Sequence, residues 1–207
     1  MSVKLVWITP EAEKIISYCA RVSNPANQEN YDTAPKLLKY CAKNSHWSVF
    51  EMASMCVEIE TTRAISAQIL RHKTMSFQEM SQRYMAVDNT NLELPELRRQ
   101  DNKNRQNSID DIPEINDKYK DKIKQLFDSS LDLYNELLED GVAKECARFV
   151  LPLSTGTRLY MSGNIRSFIH YIQVRGHSST QKEHREIALK IKDILLENIG
   201  SLTDILN

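Results

Sequence analysis

Ala53-Ser54-Met55-Cys56-Val57-Glu58-Ile59-Glu60-Thr61-Thr62-Arg63-Ala64-Ile65-Ser66-Ala67-Gln68-Ile69-Leu70 changes its periodicity once, and that change decides the fold class. From Ala53 to Thr61 the pattern alternates. Ala53, Met55, Val57 and Ile59 fall on one face, and Ser54, Cys56, Glu58 and Glu60 on the other. A period of two with one apolar face is the pattern of a half-buried antiparallel strand. Beyond it, Ile65, Ile69 and Leu70 recur at helical spacing, with threonine as the cap, so a helix is expected to follow directly.

Upstream, Val3 to Ile8 reads as a short buried strand. Thr9-Pro10 predicts a helix start, with threonine as cap and proline in the first turn, running to about Arg21. Asn24 to Tyr31 is a polar loop, and Thr33 to Asn44 a second helix with Leu37, Leu38 and Cys41 at helical spacing. Downstream, Asp88 to Pro113 carries little structural signal. The run Arg98 to Asn107 holds no large apolar residue, and an exposed polar excursion is expected near 98–111. Asn116 to Glu139 predicts a long amphipathic helix carrying Tyr119, Ile123, Leu126, Phe127, Tyr134, Leu137 and Leu138, ended by Gly141. A short helix over Ala143 to Val150 closes at Pro152. Thr155 to Ser162 reads as a strand, and helices over Asn164 to Val174 and Ser179 to Glu197 are separated by Gly176. This order predicts an α+β fold with a mainly antiparallel sheet. With no internal repeat and no linker, residues 1–207 form one domain of ordinary size.

Composition narrows the function. The 27 basic and 28 acidic residues leave a net charge of −1, which argues against a general attraction to nucleic acid and for capture of a small anion. The run around Arg98 also lacks aromatic residues for base stacking. No apolar run is long enough to span a bilayer, and Met1 to Ile8 lacks the form of a secretory signal, so a cytoplasmic protein is expected. Cys19, Cys41, Cys56 and Cys146 are scattered without a C-x-x-C pair. They read as small core residues, with no disulfide framework or metal site expected.

The chemistry-bearing segment follows the strand and helix. Arg71-His72-Lys73-Thr74-Met75-Ser76-Phe77-Gln78-Glu79-Met80-Ser81-Gln82-Arg83-Tyr84 gathers cations, an imidazole, a carboxylate, hydroxyls and carboxamides. Its first cations fall at a helix C-terminus, where positive charge is favoured. Alone it reads as a solvated helix end and a polar loop. A second set changes that reading: Arg148, then Asn164-Ile165-Arg166-Ser167, Gln173-Val174-Arg175 and Ser178 to Glu183. Together these segments resemble the flavin-dependent thymidylate synthases, whose signature is approximately R-H-R, seven residues, then the serine of S-x-R-Y. Here the signature reads Arg71-His72-Lys73, seven residues, Ser81-Gln82-Arg83-Tyr84. The resemblance runs from about Ser45 to about Ala188.

That resemblance implies an antiparallel sheet covered by helices, in a homotetramer whose active sites are shared between subunits. It implies conversion of dUMP to dTMP, with 5,10-methylenetetrahydrofolate as carbon donor and NADPH-reduced FAD as reductant. Neither nucleic acid nor membrane is an implied partner. For dUMP it points to Gln68, Arg71, Glu79, Ser81, Arg83, Arg148 and Arg175, and for FAD to Ser54, Arg71, His72, Lys73, Glu79, Asn164, Arg166 and His170.

Among these, Arg175 aligns with the residue that activates the uracil. Uracil C5 is a poor nucleophile until anionic character develops at the N3–O4 edge, and a fixed guanidinium stabilises that charge as it forms. A phosphate needs cations and hydroxyls in a compact cradle, the role implied for Ser81, Arg83 and Arg148. Taken alone, Arg148 reads equally as an ion-pair partner of Glu145. No G-x-G-x-x-G occurs, so a Rossmann-type flavin site is not expected.

Several positions depart from the family pattern. Lys73 stands where arginine is usual, Gln78 for asparagine, Met52 for the histidine of Phe-Glu-His, Ser179 for histidine, and His170 where asparagine is frequent. Two further readings therefore stand beside the first: a divergent flavin enzyme that hydroxymethylates a pyrimidine nucleotide, and a non-catalytic nucleotide- or RNA-binding relative.

Overall fold

The computed structural model describes residues 1–87 and 94–206. The first residues of the weakly patterned stretch from Asp88 to Pro113, 88–93, lie outside them. The strands are β1 (Ser2–Ile8), β2 (Ser54–Thr62), β3 (Ser76–Glu79), β4 (Arg99–Gln100), β5 (Ser108–Ile109) and β6 (Gly156–Asn164). The α-helices are α1 (Ala12–Ala20), α2 (Ala34–Lys43), α3 (Arg63–Ile69), α4 (Glu114–Glu139), α5 (Lys144–Ala147), α6 (Ile165–Arg175), α7 (Lys182–Asn198) and α8 (Thr203–Leu206).

The fold is α+β, with an antiparallel sheet of order β1-β2-β6-β3. Its central pair is in register across Ile165 N–H to the Ala53 carbonyl at 2.9 Å. Tyr160 Oη stands opposite Glu58 at 2.8 Å and Arg158 opposite Glu60 at 2.9 Å. The alternation of β2 is realised. Ala53, Met55, Val57 and Ile59 are all buried, while on the other face Ser54, Glu58 and Glu60 are half-buried and only Cys56 is buried with the core.

The chain packs as two compact units, one of residues 1–59, 69–78 and 160–207, the other of 60–68 and 79–159. In the first, α1 packs on α2, α6 on α7, and α7 on β1. Ile16, Leu38, Phe168, Ile191 and Leu195 supply fully buried side chains there. Each such side chain stabilises the unit by about 1.5–3 kcal/mol relative to leaving it in water. In the second, Phe127, Leu131 and Tyr134 of α4 recur at i, i+4 and i+7 and pack with Val87 and Ala147. The Tyr134 hydroxyl accepts the Val87 N–H at 3.3 Å. Gly141, at φ +80°, supplies the left-handed turn after α4.

Local expectations fail where backbone partners replace side-chain caps. Thr61 and Thr62 belong to β2, and α3 begins at Arg63. There the N–H groups of Arg63 and Ala64 donate to the Thr155 and Leu153 carbonyls at 2.9 and 3.0 Å, so the first turn needs no threonine cap. Leu70 lies beyond the end of α3 and is exposed, whereas Ile65 and Ile69 are buried. Thr9 Oγ1 is bonded to the Ser54 backbone, and α1 starts instead after Glu11 in a left-handed conformation at φ 49°. Leu126 faces solvent, one position off the buried stripe of α4. Cys41 and Cys56 are buried as expected, but Cys19 is only partly covered and Cys146 is exposed.

The excursion near 98–111 contains a small hairpin in which β4 pairs with β5. Polar contacts take the place of apolar burial there. Arg99 forks onto Asp111 at 2.6–3.1 Å, and the Asp101 carboxylate accepts from the Asn107 amide and from the Lys103 and Asn104 N–H groups. The Asn107 contact, followed by the two backbone donors, holds the Asp101 carboxyl below the usual carboxylate range.

Candidate active site

In the first unit, the turn after α3 brings His72 against α6. The His72 N–H donates to the Ile69 carbonyl and the Met75 N–H to the His72 carbonyl, at 3.1 and 3.2 Å. Gly163 gives this turn room, since a Cβ there would run into Met75 Sδ. The Arg175 Nε–H donates to His72 Nε2 at 2.7 Å, which requires a neutral His72 carrying its proton on Nδ1. Burial, then the positive charges of Arg175 and His170, pull the His72 pKa down to about 4, so the acceptor is available near neutrality. The His72 ring stands edge-on to Tyr171, with centroids 4.8 Å apart. Tyr171 and Arg175, four residues apart, share a face of α6. The Tyr171 hydroxyl meets His184 Nε2 at 3.0 Å in the apolar interface with α7. Burial first, then Arg175 and His72, bring the His184 pKa down to about 4, and burial raises the Tyr171 phenol above its ordinary range.

Another face of α6 opens on a pocket of about 730 Å³. Asn164, Arg166, His170 and Gln173 line it, with Thr74, Trp47 and Glu51 opposite. Asn164 caps α6, its Oδ1 accepting the Ser167 N–H at 2.8 Å, so the start of the helix is fixed where the pocket begins. Arg166 pairs with Glu51 at the rim. An aromatic ring, two amides, an imidazole and a guanidinium form a donor set that suits a flavin, which needs stacking surface, amide-type partners and positive charge. Arg71 and Lys73 are exposed and have no ion-pair partner among the described residues. The backbone of Ser54 is tied to Thr9, and Met52 is exposed.

In the second unit Glu79 is the organising group. Its Oε1 accepts from Ser66 and, at 3.0 Å, from Thr157, and it pairs with Arg63 at 2.8 Å. Arg63 also donates to the Met80 carbonyl at 3.0 Å, fixing the chain just before Ser81. Ser81 opens a turn in which its carbonyl accepts from the Tyr84 and Met85 N–H groups and its Oγ from that of Arg83. Glu145 pairs with Arg83 at 2.8 Å. Arg148 has no ion-pair partner among the described residues and lies against the Phe149 ring. Gln68 is half-buried on α3.

The sequence points to His72, Arg175, Asn164, Arg166 and His170, but not to Gln173, Tyr171, His184, Trp47, Glu51, Arg63, Ser66 or Thr157. One signal was available for His184: it lies on the same helical stripe as the buried Ile187, Ala188, Ile191 and Leu195. The other contacts join residues far apart in the chain.

The family model described as thymidylate synthase complementing protein matches residues 4–199, through both units. The chain is 48% identical over 218 residues to the probable flavin-dependent thymidylate synthase of Paramecium bursaria Chlorella virus 1, covering 100% of this chain and 99% of that one. It is 52% identical over 191 residues to the flavin-dependent thymidylate synthase of Synechocystis sp. (strain ATCC 27184 / PCC 6803 / Kazusa), covering 92% and 87%. Among solved structures it resembles a UMP/dUMP methylase, PolB from Streptomyces cacaoi bound with 5-Br UMP. The TM-score is 0.82 at 25% identity, covering 98% of this chain and 93% of that one. Fold and relatives together define a methyltransferase that acts with a flavin. The chain belongs to the flavin-dependent thymidylate synthase family, whose reaction takes dUMP to dTMP. No helix among the described residues is long and apolar enough to cross a membrane.

Proposed function

We propose that Arg175 activates the uracil ring of dUMP and that the α6 pocket, with Arg71, His72 and Lys73, receives FAD. The observation that carries this reading is the Arg175–His72 contact at 2.7 Å. Binding Nε to a neutral imidazole fixes the guanidinium plane and leaves both terminal nitrogens free to donate to the N3–O4 edge. As C5 attacks the incoming carbon, charge develops at that edge, and a donor already in position stabilises it without reorganising. Ser81, Arg83 and Arg148 hold the phosphate, Glu79 sets the turn that presents Ser81, and Gln68 and Arg71 complete the nucleotide site from a neighbouring subunit of a homotetramer. Ser54, Asn164, Arg166 and His170 complete the flavin site, and Glu79 is assigned to both ligands.

The carbon donor is 5,10-methylenetetrahydrofolate and the reductant NADPH. A C–C bond forms at uracil C5, the C5 proton leaves, and the methylene carbon is reduced by two electrons to methyl. dUMP, methylenetetrahydrofolate, NADPH and a proton thus give dTMP, tetrahydrofolate and NADP⁺. Bound flavin supplies the carrier for those two electrons. The chain's own residues orient the ring, bind the phosphate and stabilise charge, and no thiolate is used. Burial pushes the Cys41 and Cys56 thiols up, away from the thiolate form.

The test is purification followed by product analysis. A yellow, tetrameric protein that makes dTMP from these substrates supports the reading. A colourless monomer that takes up no added FAD overturns it, and a product heavier by one oxygen identifies hydroxymethylation.

A further inference from the structure

The pair Tyr171–His184 has no part in the reading above. His184 is fully buried and Tyr171 almost so, in an interface otherwise made by residues such as Phe168, Ile172, Ile187 and Ala188. A phenol and an imidazole there must be desolvated, and each satisfies the other at 3.0 Å. An apolar pair would fill the same space without that desolvation, so packing alone does not account for two polar groups. What the pair adds is direction. The Tyr171 side chain can swing about its Cα–Cβ bond, and the bond to His184 anchors the hydroxyl end of the ring against that swing. His72 packs edge-on against this ring at 4.8 Å, and Arg175 bonds to His72 one helical turn beyond Tyr171.

We propose that Tyr171 and His184 are positioning residues for Arg175: their hydrogen bond fixes the Tyr171 ring, the ring fixes the plane of His72, and His72 aims the guanidinium. The proposal rests on the uracil-activating role of Arg175 only for its effect on turnover. The orientation of the side chain is a separate observable. Arginine benefits from such bracing because its long stem is otherwise free to sample many rotamers.

The experiment uses the full chain loaded with FAD and labelled with ¹⁵N in arginine alone. Arg175→Lys assigns the Arg175 Nε–H resonance by its loss, and solvent exchange of that proton is then followed in Tyr171→Phe, in His184→Leu and in the double variant. Each single variant is expected to exchange about fivefold faster, the factor for one net hydrogen bond. kcat is expected to fall by a similar factor, with KM for dUMP near wild type. The double variant removes both ends of that hydrogen bond together, so its loss of thermal stability is expected to be smaller than the sum of the two single losses. Its exchange is expected to stay fast and its kcat low. Recovery of exchange and kcat together with stability would show a packing role only, and exchange unchanged in all three variants overturns the proposal outright. If exchange responds but Arg175→Lys turns over normally, the guanidinium is positioned as proposed and the uracil-activating reading falls.

Discussion

Replacing Arg175 with lysine separates charge from geometry. Of the five guanidinium N–H donors one is committed to His72 at 2.7 Å, which leaves the two terminal nitrogens as a planar fork. Lysine keeps the positive charge but ends in a single ammonium, which cannot hold His72 and span the N3–O4 edge together. Ground-state binding of dUMP depends mainly on its phosphate, so the dissociation constant is expected to change little. The lost donor acts on charge that exists only as C5 attacks, and removal of one such donor costs on the order of 10²–10³ in rate, or about 2.7–4 kcal/mol. The loss should therefore appear in kcat and equally in kcat/KM. The assay is single-turnover and steady-state dTMP formation by FAD-loaded protein, with dUMP affinity from calorimetry. A folded, FAD-loaded Arg175→Lys enzyme turning over near the wild-type rate would show that Arg175 only tethers the end of α6, a role lysine can fill.

Arg83→Ala and Arg148→Ala should each weaken dUMP binding about tenfold to hundredfold, since hydrogen bonds to charged groups are worth roughly 1.5–3 kcal/mol. FAD content should be unchanged, and so should stability, because the exposed Arg83–Glu145 pair contributes little. Calorimetric titrations equal to wild type in both variants would place the phosphate elsewhere. His72 and His184 have pKa values lowered from 6.5 to about 4 in the folded protein, so the unfolded chain binds more protons between those limits. Their contribution to stability is present above pH 6.5 and is lost as pH falls toward 4. Denaturant midpoints measured across this window should fall less steeply for His184→Leu than for wild type, and parallel slopes would contradict a neutral buried His184. Single replacements of Cys19, Cys41, Cys56 and Cys146 by alanine or serine should lower stability at most. A folded cysteine variant with no turnover would instead indicate a thiolate nucleophile.

Strand β2, the long amphipathic helix α4 and the cationic turn after α3 are legible in the sequence alone, because each is written in the spacing of neighbouring residues. Met55, Val57 and Ile59 alternate because successive strand residues face opposite ways, and Phe127, Leu131 and Tyr134 follow the turn of a helix. The short strand β3 was not legible, since a partner strand rather than its own four residues sets its conformation. Nor were the starts of α1 and α3, whose first N–H groups and neighbouring hydroxyls find partners in distant backbone. The resemblance picked out Arg175 and His72, but 103 positions separate them, and only the tertiary structure put one nitrogen against the other. The same holds for Glu79 with Thr157, 78 positions apart. His184 carried a faint mark as a histidine on an apolar stripe, yet its partner Tyr171 lies on another helix. Periodicity along a chain encodes which face is buried. Which polar groups meet depends on how helices and strands pack, and that is settled only when desolvated donors and acceptors have to find each other.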